Sequence, residues 1–502
     1  MQSNIKSYVK NNLYNILIWG MVIGLTLLYF SLIFNINVTT DEIFSLNVFK
    51  LKLPELFKTV ATDDHPPLHY LYGHFFDLIS SQNIPLQKVA AIIPMSATLV
   101  LIATVFRKSF GDLQALFTLL FFAAVPCTME YAVQIRMYSM SIFFVTLCGL
   151  EAYLAYENNK VKNWILLGVA TLGAAYTVYF ALIAVCFECG ILFLAIMINK
   201  DKRSTQIKPY IICAVATIAL YLPWVPTFFS RTNNLRDDYF LPQMSPSVIW
   251  DFFKWTFDLE DIPGFVYLYL ILLITVGIIG IICICKRTSH AKFIFIGFLA
   301  MLIPTLTTTA GIIISLSGSP IYTGRYVIIE MMMLAIYFGL VVGSIIQDNL
   351  VEAKMLNATG NMLSKIAITI SIVFLLFSSI VQYAECFRQE YIGHLTEETI
   401  AFFDEHLGPN DVVLYNYEAM GFEYKFYFPN DRLYYVRDFD FNSDYENLWF
   451  LSNLYEWPIT DADCYTYWIS YEYMGTWGIE DNNFDVYRYY HNDFPKIEPV
   501  GE

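Results

Sequence analysis

Eleven stretches of this chain are apolar for long enough to cross a lipid bilayer, and nothing else constrains its fold as strongly. Unpaired backbone groups are not tolerated in hydrocarbon, so a single run must span as a helix of about 20 residues. The runs begin near 13–34, 87–106, 113–128, 138–156, 164–179, 181–199, 209–226, 263–284, 291–316, 325–346 and 366–384. Composition agrees: 57% of the 502 residues are hydrophobic and 15% are charged. A water-soluble domain carries about 25% charged residues, so an ordinary soluble enzyme is excluded.

Lys and Arg gather in the connections that remain on the cytoplasmic side. With Lys6 and Lys10 inside, the even-numbered connections hold Arg107 and Lys108, Lys160 and Lys162, Lys200 to Lys208, Lys286 to Lys292, and Lys354 and Lys365. The short outer turns after 128, 179 and 316 contain only Arg136 and Arg325. This predicts a multi-pass plasma-membrane protein with a cytoplasmic N terminus. The first span has no small-residue cleavage site after it and reads as an anchor, not a signal peptide. Within the first outer loop, 35–86, residues 66–80 read as an amphipathic helix along the interface.

The formal charge of −15 belongs to one end. Residues 386–502 hold 6 Lys and Arg against 23 Asp and Glu, whereas residues 1–385 are nearly neutral. The division predicted is a membrane domain, 1–385, and an acidic, Tyr-rich outer domain, 386–502. In the latter, Thr396 caps a helix over 397–407 that Gly408-Pro409 stops. The runs VVLYNY, RLYYV, YTYWISY and FDVYRYY read as strands, so a small α/β or α+β module is expected. Most of the nine Cys fall in spans, where Cys acts as a small hydrophobe; Cys386 and Cys464 are the one candidate outer pair. No nucleic-acid partner is expected.

Ionisable residues concentrate at the outer ends. Asp41-Glu42 follows the first span; these are either N-terminal helix charges or carboxylates that take a proton or ligate a metal. Asp63-Asp64-His65-Pro66-Pro67-Leu68-His69-Tyr70 opens the interfacial stretch. Asp64 could cap a helix whose first turn takes the prolines. If that helix begins early, His65 and His69 lie at i and i+4 with metal-ligand spacing. Candidate metal ligands are therefore Asp41, Asp63, His65 and His69. Glu130, Gln134, Arg136 and Tyr138 cluster in the second turn, Arg325 and Tyr326 in the fifth. The two arginines either snorkel to headgroups or present guanidinium forks to a phosphate. Glu188 sits deep in the sixth span, as a structural acid or as the mark of a transport site.

Five signatures, TTDEIFS (39–45), DDHPPLHYLY (63–72), YAVQIRMYSM (131–140), YLPWVP (221–226) and SPIYTGRY (319–326), resemble the GT-C superfamily of integral-membrane glycosyltransferases. The likeness is to the branch with protein O-mannosyltransferases and lipid A aminoarabinose transferases, and it covers residues 13–346. It implies an all-α polytopic fold and a polyprenyl-phosphate sugar donor. It further implies transfer with inversion, on the non-cytoplasmic face, to a glycan, lipid or protein acceptor. Asp41 matches the catalytic acid of the first loop, with Glu42 beside it; Asp63, His65 and Tyr70 fall in the second signature. Arg136 and Arg325 match donor-phosphate contacts. Related sequences often carry an acid where this chain has Gln134, and His where it has Val178; Glu130 is the candidate replacement, and a divalent metal is not required by the sequence. The competing readings are a transporter of lipid-linked saccharides and a non-catalytic membrane scaffold. Midplane acids and internal repeats, which mark transporters, are represented here by Glu188 alone.

Overall fold

The computed structural model describes residues 2–36, 38–80, 83–234, 244–317, 321–352, 358–389, 401–415, 425–426, 432–435, 438–440, 443–453, 472–479 and 482–490. The chain divides into two compact units, one of residues 1–33 and 48–388, the other of residues 34–47 and 389–502.

The larger unit is helical. Its membrane helices are α1 Gln2–Ser31, α2 Ile84–Leu101, α3 Asp112–Ala124, α4 Tyr138–Asn158, α5 Val161–Ala175 and α6 Tyr179–Ile198. They continue with α7 Lys200–Tyr221, α8 Val266–Cys285, α9 Ala291–Leu316, α10 Met331–Glu352 and α11 Ala358–Arg388. Nine spans among the described residues are long and apolar enough to cross a membrane. The other two expected spans are the shorter α3 and α5, of 13 and 15 residues. Leu27, Ile198, Ile281 and Ile380 stay exposed on the protein alone, as a lipid-facing surface requires.

The short α3 shows how a helix can end inside such a protein. A helix leaves its last carbonyls without intrahelical partners, and lipid supplies none. Here the protein does. Gln382 Nε2 of α11 donates to the Ala123 carbonyl at 2.5 Å, and Ser378 Oγ donates to that of Ala124 at 2.6 Å. The Tyr269 hydroxyl of α8 also donates to Ala124, and Thr128 Oγ1 donates to the Val125 carbonyl at 2.9 Å.

Along its length α3 packs against α10 through Gly339 and Gly343, a small-xxx-small pair that lets backbones approach closely. A Cβ at Gly339 would lie 2.0 Å from Thr118 Oγ1 and 2.5 Å from the Gln114 carbonyl. At Gly343 it would lie 2.7 Å from the Gln114 amide nitrogen. The same seam carries Gln114 Nε2 donating to Gln347 Oε1 at 3.0 Å and to Ser344 Oγ at 3.4 Å.

In the other unit five strands, β1 Val412–Tyr415, β2 Leu433–Tyr435, β3 Asn447–Asn453, β4 Glu472–Ile479 and β5 Asn482–Tyr490, form one sheet in the order β2-β1-β3-β5-β4. β1 runs parallel to β2 and β3, and β5 antiparallel to β3 and β4. Asp411 anchors this unit. Its fully buried carboxylate accepts from Gly408 N, Asn447 N, Asn447 Nδ2 and Trp449 Nε1 at 2.8–3.1 Å. The helix of 401–406 lays Phe402 and Phe403 edge-on against Trp449. Of the strands expected, that over 465–471 lies outside the described residues, as do Cys464 and the first turn of the 397–407 helix.

Candidate active site

Three of the four ionisable clusters meet at one end of the helical unit. The helix Leu68–Ser80 begins only after Pro66-Pro67, with Leu68 N donating to the Tyr176 carbonyl at the end of α5, 2.9 Å away. The Tyr72 hydroxyl donates to the Ala90 carbonyl at 2.8 Å, and Gln87 Nε2 to that of Gly73 at 3.2 Å, tying this helix to α2. So held, Tyr70 donates to Asp63 Oδ2 at 2.6 Å. The His69 ring packs edge-on against Phe49 and Tyr70, with centroids 5.4 Å apart in both pairs.

The second cluster is a compact turn. Cys127 takes the left-handed conformation (φ 74°) ahead of the short helix Thr128–Val133. Gln134 Nε2 donates to Glu130 Oε1 at 2.7 Å, so the amide and the candidate carboxylate form one unit. Tyr131 stands edge-on to Tyr138 and Trp255, at 4.9 and 5.7 Å. The third cluster reaches the same turn. Burial holds the Tyr131 hydroxyl well above its usual range, helped by Tyr138, Glu130 and Cys127, and the neighbouring Arg325 opposes it. Tyr326 stacks on Phe180 of α6 at 4.4 Å, nearly parallel.

Arg136 is 6% exposed and sets the electrostatics of the Asp63–Tyr70 segment. Burial pushes the Asp63 carboxyl above its usual range, while the Tyr70 hydrogen bond and the Arg136 charge pull it back. Burial and then Arg136 lower His69 to about 3, against a bond from its ring to the Ile135 carbonyl. Its Nε2 is buried with no hydrogen-bond partner among the described residues. The folded protein therefore keeps this ring neutral where the unfolded chain, with an ordinary value of 6.5, takes a proton. Folded stability should fall as pH drops from 6.5 towards 3, by at most about 1.4 kcal/mol per pH unit from this group. Thermal midpoints in detergent between pH 7.5 and 4.5 should decline more steeply for the native chain than for His69→Gln.

Two expectations change. His65 lies in the bend before the prolines and outside the helix, so the i, i+4 spacing with His69 does not arise. Among the described residues no three His, Cys, Asp or Glu side chains gather as a metal-ligand set, and the Arg136 charge beside His69 disfavours a cation there. Asp41 and Glu42 belong to the other unit. They open the helix Thr40–Phe49, where Glu42 Oε2 accepts from Thr39 N at 2.9 Å and Thr39 Oγ1 at 3.1 Å. The Glu42 amide points back to Thr39 Oγ1 at 3.4 Å. That reciprocal arrangement is a capping box, and it gives the fully buried Glu42 a structural task, while Asp41 is partly exposed.

Sequence reasoning missed Lys88, a fully buried cation near the start of α2, and the aromatic partners Trp255 and Phe180. A lysine early in an apolar run was the available signal for the first; nothing local signals the others.

Residues 64–226 match the family model for dolichyl-phosphate-mannose-protein mannosyltransferases, under half of the chain. Among curated proteins none matches the sequence. Among solved structures the fold is similar to that of ArnT from Cupriavidus metallidurans. The form bound to undecaprenyl phosphate superposes with a TM-score of 0.53 at 13% identity, covering 95% of this chain and 98% of that one. The apo form gives 0.58 at 12% identity, covering 93% and 97%. With its many membrane helices, its end-clustered acids and arginines and this architecture shared over nearly both whole chains, the protein has the fold of the GT-C superfamily of membrane glycosyltransferases.

Proposed function

We propose that the protein transfers a sugar from a polyprenyl-phosphate donor to an acceptor hydroxyl at the non-cytoplasmic face, with inversion at the anomeric carbon. The observation that carries this reading is the turn of 127–137, which brings Arg136 beside Asp63 and Tyr131 beside Arg325. Two guanidinium groups flanking one buried turn suit a phosphate, because each offers paired donors in a fixed plane. The bound lipid phosphate of the ArnT structure is consistent with such a donor. This topology leaves the N terminus in the cytoplasm and the acidic unit outside.

In the reaction the acceptor oxygen attacks the anomeric carbon as the bond to the phosphate oxygen breaks, and the electron pair leaves with the phosphate. Arg136 and Arg325 hold that phosphate and stabilise its growing charge. Asp41 takes the acceptor's proton, an assignment that rests on its motif. Asp63 and Tyr70, bonded to each other, keep the substrate-facing segment in place beside Arg136, and Glu130 with Gln134 stiffens the turn.

Membranes containing the protein, given a panel of labelled polyprenyl-phosphate sugars and endogenous acceptors, should release polyprenyl phosphate and label an acceptor. Asp41→Asn should reduce that transfer by about two orders of magnitude or more at normal membrane levels. Unchanged transfer in Asp41→Asn would overturn its assignment.

A further inference from the structure

A cavity of about 310 Å³ lies among α4, α6, α9 and α10, away from the proposed phosphate site. Its walls are apolar and aromatic, with Phe106, Phe110, Tyr153 and Phe295 among them. Glu188 of α6 lines it and is 4% exposed. Neither carboxyl oxygen of Glu188 has a hydrogen-bond partner among the described residues. The neighbours that act on it are Cys148 of α4, Cys189 of its own helix and a second buried acid, Glu330. Lys292 also lines the cavity, but it pairs with Glu157 at 3.0 Å.

The local sequence makes room for this carboxyl. A Cβ at Gly149 would meet Glu188 Oε1 at 2.9 Å and the tip of Met333, so both side-chain ends extend into the space this glycine leaves. A buried acid is costly unless something compensates it. Here two acids act on each other, the lysine on the cavity wall is already paired with Glu157, and the space beside Glu188 is lined by aromatic faces, which attract organic cations.

We propose that this cavity binds a lipophilic organic cation, an ammonium-bearing amphiphile, whose charge meets Glu188 and whose apolar body fills the aromatic walls. The site is separate from the glycosyl-transfer reading and stands without it.

The test uses the full chain in detergent micelles, with tetraphenylphosphonium as the probe and calorimetry as the readout. The native protein should bind it saturably above the micelle blank, and should not bind the anionic isostere tetraphenylborate. Glu188→Gln should weaken binding at least tenfold, and Leu299→Trp, which fills the space, should do the same. A measurement on the native protein covers the case in which the variants misfold: saturating tetraphenylphosphonium should slow carbodiimide labelling of Glu188 several-fold, read by peptide mass spectrometry. Equal affinity in Glu188→Gln, equal binding of tetraphenylborate, or an unchanged labelling rate would each overturn the proposal.

Discussion

Replacing Arg136 by alanine should lower sugar transfer by about two to three orders of magnitude, the scale on which a lost charge-stabilising donor is felt. Three observations set this expectation. The guanidinium is 6% exposed, so its field is little screened by water. It acts on both Asp63 and His69, so it sits where the Leu68–Ser80 helix begins. It has a second basic group, Arg325, beside the same turn. Arg136→Lys keeps the charge and loses the planar fork, and should recover only part of the activity. The substitution also carries an internal signature. Without the guanidinium both His69 and Asp63 gain proton affinity, so the fall in stability as pH drops below 6.5 should flatten in Arg136→Ala. Full activity in Arg136→Ala, measured as labelled acceptor per mole of folded protein, would remove the arginine from the mechanism.

Gly339→Leu should prevent stable folding altogether. The new Cβ would fall 2.0 Å from Thr118 Oγ1 and 2.5 Å from the backbone oxygen of Gln114, and backbone cannot turn aside as a flexible side chain can. α3 and α10 would have to separate, breaking the Gln114 bonds to Ser344 and Gln347. Overpacking alone costs about 3 kcal/mol at the upper end of its usual range, and the lost bonds add to it. Gly20→Leu and Gly190→Leu are the controls, since a Cβ at either meets nothing within 4 Å. The contrast should appear as monodisperse protein in detergent for the controls and aggregate for Gly339→Leu. A monodisperse Gly339→Leu protein with an unshifted thermal midpoint would show that the α3–α10 seam tolerates separation.

Much of this was legible in the sequence. Long apolar runs bounded by Lys and Arg located the membrane helices, because the bilayer imposes one length and one satisfied conformation. The clusters at 63–70, 130–138 and 322–326 were visible as charges that a membrane protein does not spend on lipid. What was not visible came from distant partners. The end of α3 depends on Tyr269, Ser378 and Gln382, more than a hundred residues away, so the expected span to 128 overran by four residues. The parallel pairing of β1 between β2 and β3 left no mark in the strand patterns themselves. Glu42 is a different case. The T-x-x-E spacing at 39–42 announces a capping box, but an adjacent acid pair invites a catalytic reading first.

The truncated α3 has a consequence for how a donor would be held. Thirteen residues reach about 20 Å, against a hydrocarbon width of about 30 Å. The chain therefore leaves the helix early, and the turn bearing Arg136 lies sunken among buried residues from 131 to 140. Mobile ions reach such a buried turn less readily than they reach an exposed surface. Contacts on a protein's surface fade within a Debye length of about 10 Å at ordinary salt, whereas a phosphate held by a guanidinium buried to this degree would be screened much less.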